Sequence, residues 1–406
     1  MGYSLIKIER GVVKGGFVLL AAFGIYNFLN FIFQLSMARM LSLSDYGVMA
    51  TIFSMIYILS VFSESIQVVI AKYSASEKKK GEIKNILKRG LKKSLLASLL
   101  LFFVYLVFAI PFSKLVKVDY VLLSLSGLVI FSTFLMPITR GIMQGQKRFG
   151  GLGINMILES FIKLVLAALF VYFGFRVYGA IMGAIIGTGL ALIFSFLTLK
   201  DITKSKEEKI DTVEMYKYAR PAFFVTLAVV ALYSLDLVIA RIVFSPELSG
   251  MYAVASILSK AIFWGTQPLS RAMFPMTAEN HRDNKKSKNI FLNAFLMLIS
   301  LVIIALSLFY FIPEFIIKIF SGEIIPESAK ILIYLGLGTS FISIANLVLL
   351  YKLSLGKTRR YFYLFIFAVL EIILLLYFSN NLVEFSIAFM ISCFVFLSGA
   401  VFLMKD

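Results

Sequence analysis

Long, uninterrupted apolar segments restrict the fold of this chain more than any other feature of its sequence. Each segment runs for about 20 residues, the length at which an α-helix crosses the hydrocarbon of a bilayer. Apolar and polar residues do not alternate within the segments, as they would in a membrane β-barrel. Charged residues make up 15% of the chain and the mean hydropathy is +0.93, so we predict an all-α integral membrane protein. Twelve transmembrane helices are expected, near residues 15–38, 47–70, 94–112, 121–143, 151–173, 177–199, 218–243, 250–274, 290–312, 329–351, 361–379 and 382–403.

Positive charge is unevenly divided between the two sides of the predicted membrane. The chain carries 40 Lys and Arg against 22 Asp and Glu, a net charge of +18, and most of the basic residues fall on the side of the N-terminus. Because cytoplasmic loops are enriched in Lys and Arg, both termini are expected to be cytoplasmic. The densest basic run, from Lys78 to Lys93, is expected to contact anionic membrane lipids, and no nucleic-acid partner is predicted.

The sequence also resembles itself at a shift of about 202 residues. Arg39 recurs as Arg241, and Gly47 recurs as Gly250. Membrane transporters built from repeats bind cargo where their repeats meet. We therefore predict two pseudo-twofold-related lobes of six helices that enclose a central cavity. The expected boundaries are 1–199 for the N-lobe, 200–217 for a polar cytoplasmic linker and 218–406 for the C-lobe.

Small residues on the sixth predicted span indicate close helix packing. Glycines recur there at spacings near four, a pattern that lets helix backbones approach one another in membranes. We expect tight packing within the N-lobe from Gly179, Gly183, Gly187 and Gly189.

The rare reactive residues exclude several classes of chemistry. Cys393 is the only cysteine and His281 the only histidine, so neither a disulfide within the chain nor a Cys/His metal site is expected. A Ser-His-Asp triad would need that one histidine, which lies in a predicted loop. The sequence also lacks a glycine-rich phosphate-binding loop. We predict a transporter without a cofactor, a metal site or catalytic residues.

Charged residues inside the apolar segments are candidate functional residues, because a charge at mid-bilayer costs about 2.5–3.5 kcal/mol on insertion scales. They are expected to serve either in internal ion pairs or in cargo binding and ion coupling. Glu159 and Lys163 are four residues apart on one helix and could pair with each other. Lys260 could bind an anion beside Trp264, or pair with Asp236. The full set is Glu64, Arg140, Glu159, Lys163, Asp236, Lys260 and Glu371.

Two predicted helices carry polar stripes. Asn27, Asn30 and Gln34 share one face of the first span, and Tyr233 and Asp236 share one face of the seventh. Such faces avoid lipid, so they indicate either a cavity lining or hydrogen bonds between helices.

Arg39 and Arg241 lie near outer helix ends. They could extend to the membrane interface, or they could act in gating or contact cargo.

Four segments carry a resemblance to a known family. The chain resembles prokaryotic polysaccharide-biosynthesis flippases of the multidrug/oligosaccharidyl-lipid/polysaccharide (MOP) exporter superfamily over nearly its whole length. The similar stretches are ARMLSLSDYGVMATIFS (38–54), GIMQGQKRF (141–149), NMILESFIKLVLAALFVYFGF (155–175) and DLVIARIVFSPELSGMYAVASIL (236–258).

The resemblance implies two six-helix lobes arranged in a V and alternating access to a central cavity. It also implies a polyprenyl-phosphate-linked oligosaccharide as cargo, flipped from the inner to the outer leaflet of a prokaryotic plasma membrane by a monomer. Lys163, Lys260 and Arg140 would match the cationic cavities of relatives with such cargo. Trp264, Tyr233, Asn27, Asn30 and Gln34 complete the expected substrate-binding set. At 406 residues the chain is short for the superfamily.

Two other functions remain open at this point. A multidrug or metabolite exporter of the same superfamily would use Glu64 and Asp236 to bind H⁺ or Na⁺, and its cavity would be acidic or aromatic. A membrane glycosyltransferase or polymerase would need a sizeable outer loop, whereas the longest predicted outer segment is 313–328. The sequence identifies neither the sugar nor the coupling ion.

Overall fold

The computed structural model describes residues 10–77, 79–209, 220–279, 283–356 and 360–402. Within these ranges the protein is helical and no β-strand is found. His281, Lys78, residues 210–217 of the predicted linker and both ends of the chain lie outside the described residues. The α-helices are α1 Arg10–Met40, α2 Leu43–Ser76, α3 Lys80–Leu115, α4 Tyr120–Ser126, α5 Val129–Gly145, α6 Phe149–Phe170, α7 Arg176–Thr198, α8 Lys200–Thr203, α9 Arg220–Val243, α10 Pro246–Glu279, α11 Asn284–Phe311, α12 Pro313–Ser321, α13 Pro326–Ser354, α14 Leu364–Tyr377 and α15 Leu382–Phe402.

Ten stretches of the described chain are long and apolar enough to cross a membrane. One of them, Phe149–Thr198, contains both α6 and α7, and a shorter apolar helical segment covers Tyr361–Tyr377. Gly174 separates α6 from α7 with φ of +89°, a conformation that glycine adopts without steric cost. These helices confirm an all-α protein with many candidate spans. The count of twelve and the cytoplasmic position of both termini stay predictions.

The sequence repeat reappears in how two helices begin. Ser42 accepts a hydrogen bond from the backbone N–H of Asp45 at 3.2 Å, just before α2. Ser245 accepts one from the N–H of Leu248 at 3.3 Å, just before α10. A serine in this position satisfies an N–H group that the first turn of a helix leaves unpaired. The two copies therefore use the same local signal to turn the chain into the next long helix.

Glycines bring α6 and α7 into close contact, as the sequence predicted for three of the four. A Cβ on Gly183 would lie 2.4 Å from the backbone nitrogen of Ala167, and one on Gly187 would lie 2.8 Å from that of Lys163. Gly179 meets Phe170 in the same way. Residue numbers increase along α7, from Gly179 to Gly187, while those of their contacts on α6 decrease, from Phe170 to Lys163. The two helices therefore run antiparallel. Around Gly189 there is open space, so this glycine is not needed for the packing.

Two compact units can be separated by the contacts within the chain. Unit 1 contains Met1–Phe33, Phe62–Ile110 and Val121–Lys217, and unit 2 contains Gln34–Val61, Pro111–Tyr120 and Tyr218–Asp406. Unit 2 thus combines most of the second half of the chain with two segments of the first half. The lobe boundaries expected from the repeat stay a prediction.

The described part of the predicted linker is bound to unit 1 by ion pairs. Asp201 receives two hydrogen bonds from Arg148, at 2.7 and 2.8 Å, and also pairs with Lys80 at 2.9 Å. The Arg148 hydrogen bonds hold the pKa of the Asp201 carboxyl well below its usual range. Lys88 contacts Glu207 at 2.9 Å and lowers the pKa of that carboxyl as well. The described first part of the linker, residues 200–209, is therefore bound to the helices of unit 1.

Candidate functional site

Two oppositely charged and almost completely buried residues of unit 2 lie on α9 and α10. Lys260 Nζ lies 2.8 Å from Asp236 Oδ1, and the two side chains are 4% and 0% exposed. The second oxygen, Oδ2, accepts hydrogen bonds from Ser256 at 2.7 Å and from Tyr252 at 3.1 Å. Both oxygens of Asp236 are thus satisfied by donors of the protein. A buried ion pair needs this full set of partners to offset its desolvation.

This pairing is one of the two interpretations of Lys260 that the sequence left open. The ammonium group contacts Asp236 and lies 4.8 Å from the centre of the Tyr233 ring. With 3% of the residue exposed, Lys260 is a member of a packed charge network. In this arrangement the charge of Lys260 is compensated by Asp236, and its contact with an anionic cargo in another state of the protein stays a prediction.

Aromatic side chains continue from the buried pair along α10. Trp264 donates an indole hydrogen bond to Tyr233 Oη at 2.6 Å. The ring of Tyr57, on α2, lies 5.2 Å from Trp264 and 5.8 Å from Tyr233. Tyr57 and Trp264 are half-buried, and together with Tyr233 they form what we call the aromatic cluster. Sequence reasoning missed Tyr57, because a tyrosine inside an apolar span carries no signal of its partners.

A second charge network lies in unit 1, where α5 meets α6. Arg140 donates hydrogen bonds to Glu159 at 2.6 Å and to Asn155 Oδ1 at 2.8 Å. Asn155 in turn donates to the carbonyl of Ala191 at 2.6 Å. The sequence offered a Glu159–Lys163 pair, whereas the Glu159 carboxylate contacts Arg140 directly and acts on Lys163 only through its charge at longer range. The guanidinium of Arg140 takes the carboxylate because it offers several donors in a fixed plane.

Lys163 contacts a polar side chain and an aromatic ring of α1. Its ammonium donates a hydrogen bond to Asn30 Oδ1 and lies 4.7 Å from the centre of the Phe33 ring. The Asn30 amide donates to the carbonyl of Tyr26 at 2.8 Å, which points its oxygen toward the lysine. Among the described residues, no carboxylate lies within ion-pair distance of Lys163 Nζ. An ammonium has three donors, so this half-buried cation keeps donors for another partner.

The remaining predicted site residues are dispersed. Asn27 is half-buried on α1, and Gln34 accepts a hydrogen bond from Tyr46 Oη at 3.4 Å. Glu64 is exposed on α2. Glu371 on α14 is fully buried, and neither of its oxygens has a hydrogen-bond partner among the described residues. It lies within electrostatic range of Asp236.

The two arginines at the helix ends both contact main-chain carbonyls. Arg241 is 3% exposed and donates to the carbonyl oxygens of Val116 at 3.1 Å and Lys117 at 2.9 Å. Arg39 is exposed and donates to the carbonyl oxygen of Ile319. Extension to the membrane interface therefore does not describe Arg241, whose donors are used inside the protein.

Comparison with known protein families identifies the chain. A family model described as "Polysaccharide biosynthesis protein" matches residues 12–281, more than half of the sequence. The chain belongs to this family. A curated relative of the polysaccharide-biosynthesis protein is an uncharacterized membrane protein of Methanocaldococcus jannaschii, 24% identical over 296 residues that cover 67% of this chain and 69% of that protein.

Solved structures of the MOP superfamily share the fold of this polysaccharide-biosynthesis protein. A multidrug resistance MATE family transporter is 14% identical with a TM-score of 0.75, over 96% of this chain and 98% of that one. The lipid II flippase MurJ is 16% identical with a TM-score of 0.72, over 96% and 88%. A MOP superfamily transporter from Pyrococcus furiosus, reported to have a binding pocket of reversed polarity, is 14% identical with a TM-score of 0.62, over 94% and 91%.

The protein is thus a multi-pass membrane member of the polysaccharide-biosynthesis family, and it shares its fold with a MATE transporter and with MurJ. The polysaccharide-biosynthesis family that the sequence resemblance suggested is thus confirmed, and the fold is that of solved MOP superfamily structures. Since multidrug transporters and lipid flippases share one fold, the fold itself does not identify the cargo.

Proposed function

We propose that the protein is a flippase for a polyprenyl-phosphate-linked oligosaccharide, which it moves from the inner to the outer leaflet by alternating access. The setting would be the plasma membrane of a prokaryote, and the monomer would be the working unit. Membership of a polysaccharide-biosynthesis family supports this function, and the fold shared with the lipid II flippase MurJ is consistent with it.

Lys163 is the observation that carries the proposal. It is a half-buried cation in an apolar helix, held by Asn30 and Phe33, and among the described residues no carboxylate is in direct contact with it. A charge inside a membrane protein is costly unless a counter-ion, water or a ligand contacts it directly. A phosphate or diphosphate group would supply the missing negative charge and would accept the remaining donors of the ammonium.

The surroundings of Lys163 keep it in place for this role. The close approach of Gly187 fixes the backbone of α6 at position 163, and the hydrogen bond from Asn30 to Tyr26 fixes the acceptor. A cation positioned by neighbours loses less conformational entropy when it binds an anion. In this proposal Lys163 recognises the phosphate and Asn30 positions it.

The aromatic cluster is the proposed binding site for sugar. Tyr57 and Trp264 are both partly accessible, and flat aromatic faces with a polar edge combine an apolar surface with hydrogen-bonding groups. Lys260 and Asp236 then have a supporting role, because their pairing fixes the helix segment that carries Tyr233 and Trp264.

Charge removal at Lys163 tests the proposal directly. The Lys163→Gln protein, reconstituted in vesicles, is assayed for translocation of a fluorescent polyprenyl-diphosphate oligosaccharide. We expect the rate to fall about tenfold or more, the effect of losing a hydrogen bond to a charged group, and Lys163→Arg to retain part of it. Lys114→Gln, an exposed lysine outside the site, is the matched control. A parental rate in the folded Lys163→Gln protein would contradict the proposal.

A cation-coupled exporter is the second candidate, and Glu371 favours it. A carboxyl that is fully buried without a hydrogen-bond partner among the described residues is costly when ionised, so it could take up and release a proton during transport. Growth with and without the gene on a panel of cationic drugs, together with proton uptake by the Glu371→Gln protein, separates this function from the first. Drug resistance that is lost with Glu371→Gln would support the exporter.

A further inference from the structure

Arg39 and Arg241 contact equivalent points in opposite repeats of the sequence. Arg241, in the second repeat, donates to the carbonyls of Val116 and Lys117 in the first. Arg39, in the first repeat, donates to the carbonyl of Ile319 in the second. The step from Arg39 to Arg241 equals the step from Lys117 to Ile319. All of these residues belong to unit 2.

Hydrogen bonds connect the segment around Arg241 and the segment around Lys117 with donors on each side. Arg241 also donates to Ser249 Oγ at 3.0 Å, so each of its three nitrogens has an acceptor. Lys117 donates back to the carbonyl of Phe244 at 3.2 Å. Lys117 has φ of +51°, a left-handed conformation that is unfavourable for a side chain other than glycine and that needs support from its surroundings. Arg241 supplies such support by binding the carbonyl of this residue.

Equivalent glycines meet next to these arginines. A Cβ on Gly47 would lie 3.1 Å from Cα of Gly250, and one on Gly250 would lie 2.0 Å from the carbonyl oxygen of Leu43. The first turns of α2 and α10 are therefore in backbone contact, with no room for a side chain on Gly250 and little on Gly47. This contact and the arginine contacts lie where α1 and α9 end and α2 and α10 begin.

We propose that the contacts of Arg39 and Arg241 with these carbonyls, the paired arginine contacts, hold the two repeats together in one closed state of the transport cycle. Both must break when the protein opens on that side, which is the outer side in the predicted topology. Carbonyl acceptors suit a reversible closure, since their release leaves no buried carboxylate behind. The inference concerns the conformational cycle and stands whichever cargo is carried.

A distance measurement without cargo tests the closure. Spin labels are attached to Met40→Cys and Leu248→Cys, both exposed positions near the contacts, in a Cys393→Ala background that removes the only native cysteine. Pulsed electron paramagnetic resonance should give one dominant short distance in the parent. In Arg241→Gln we expect the ratio of long to short distances to rise about tenfold or more, since several hydrogen bonds to a charged group are lost.

The further variants distinguish closure from general packing. Arg39→Gln should shift the ratio in the same direction by less, because Arg39 is exposed, and the double variant should exceed either one. Gly250→Ala should also favour the long distance, because its Cβ cannot fit beside Leu43. Gly189→Ala, where the added Cβ meets open space, should leave the distribution unchanged.

Two results would overturn the proposal. One is an Arg241→Gln protein of parental thermal stability with an unchanged distance distribution. If Arg241→Gln does not fold, the exposed Arg39 takes its place, and an unchanged distribution in Arg39→Gln is then decisive. Failure of the transport assay with oligosaccharide would contradict the proposed cargo and would leave this measurement unaffected.

Discussion

Lys260 and Asp236 form an ion pair at 2.8 Å that is almost completely buried in unit 2. Each was singled out from the sequence as a charge in an apolar helix, and each turns out to be the partner of the other. The pair joins α9 to α10, which carry Tyr233 and Trp264 of the aromatic cluster. It therefore stabilises the folded structure.

Removal of one partner should therefore destabilise the protein. We expect Lys260→Met to lower the free energy of unfolding by about 3–5 kcal/mol, since the carboxylate of Asp236 stays buried without its cation. Thermal unfolding in detergent measures the change. The double variant Lys260→Met/Asp236→Asn should recover part of the loss, and a single variant as stable as the parent would show that the pair is not structurally important.

The contact between α6 and α7 should not tolerate a methyl group. Gly183→Ala places a Cβ 2.4 Å from the backbone of Ala167, and overpacking of this kind costs about 1–3 kcal/mol. Gly189→Ala on the same helix is the matched control, because the added methyl meets open space. The melting temperatures of the two variants should differ clearly, and equal values would contradict the packing.

The docked linker should respond to charge removal and to acid. Asp201→Asn removes the partner of both Arg148 and Lys80, so trypsin should cut near Lys204 and Lys206 faster than in the parent. The pKa of Asp201 is lowered in the docked state, so its contribution is fully present above the ordinary value of 3.8 and shrinks as the pH falls below it.

Salt offers an independent check, since ion pairs with exposed members are screened by it. Linker cleavage should rise with ionic strength in the parent and depend less on it in Asp201→Asn. Glu208→Gln, which removes one pair with Lys79, should have the smaller effect. A parental cleavage rate in Asp201→Asn would mean that the ion pairs do not hold the linker.

Trp264 provides a built-in signal for cargo. It is the only tryptophan in the chain, and it donates a hydrogen bond to Tyr233 beside Tyr57. Addition of a lipid-linked oligosaccharide should change its fluorescence intensity if the sugar binds to the aromatic cluster. Tyr57→Leu should weaken the apparent affinity about tenfold, by analogy with losing one aromatic contact of about 1–1.5 kcal/mol. Lipid carrier without sugar is the control and should give little change.

The helices could be predicted from the long apolar segments of the sequence, because a segment that crosses hydrocarbon must be apolar and must make its backbone hydrogen bonds internally. The spans expected from 47 and 250 begin a few residues earlier in the structure, at Leu43 and Pro246, because Ser42 and Ser245 start the helices with local hydrogen bonds. The break at Gly174, the paired helices α6 and α7 and the small-residue contacts between them were likewise close to the sequence prediction.

Charged site residues were also found from the sequence, since a charge in an apolar segment stands out without any knowledge of its neighbours. Among their partners, only Asp236 for Lys260 had been considered from the sequence. Glu159 pairs with Arg140 on α5 and not with Lys163, which lies one turn further along α6. Lys163 donates a hydrogen bond to Asn30, which lies on α1. The position of Tyr57 in the aromatic cluster could not be predicted from the sequence.

The sequence by itself determined that this chain is helical, crosses a membrane many times and repeats its design, since each of these follows from the composition and order of neighbouring residues. Only the tertiary structure decided that Lys260 is in direct contact with Asp236 and that no described carboxylate is in direct contact with Lys163. The physical reason is distance: an ion pair requires two charged atoms within about 4 Å. Residues far apart along the chain reach that separation only when helices pack.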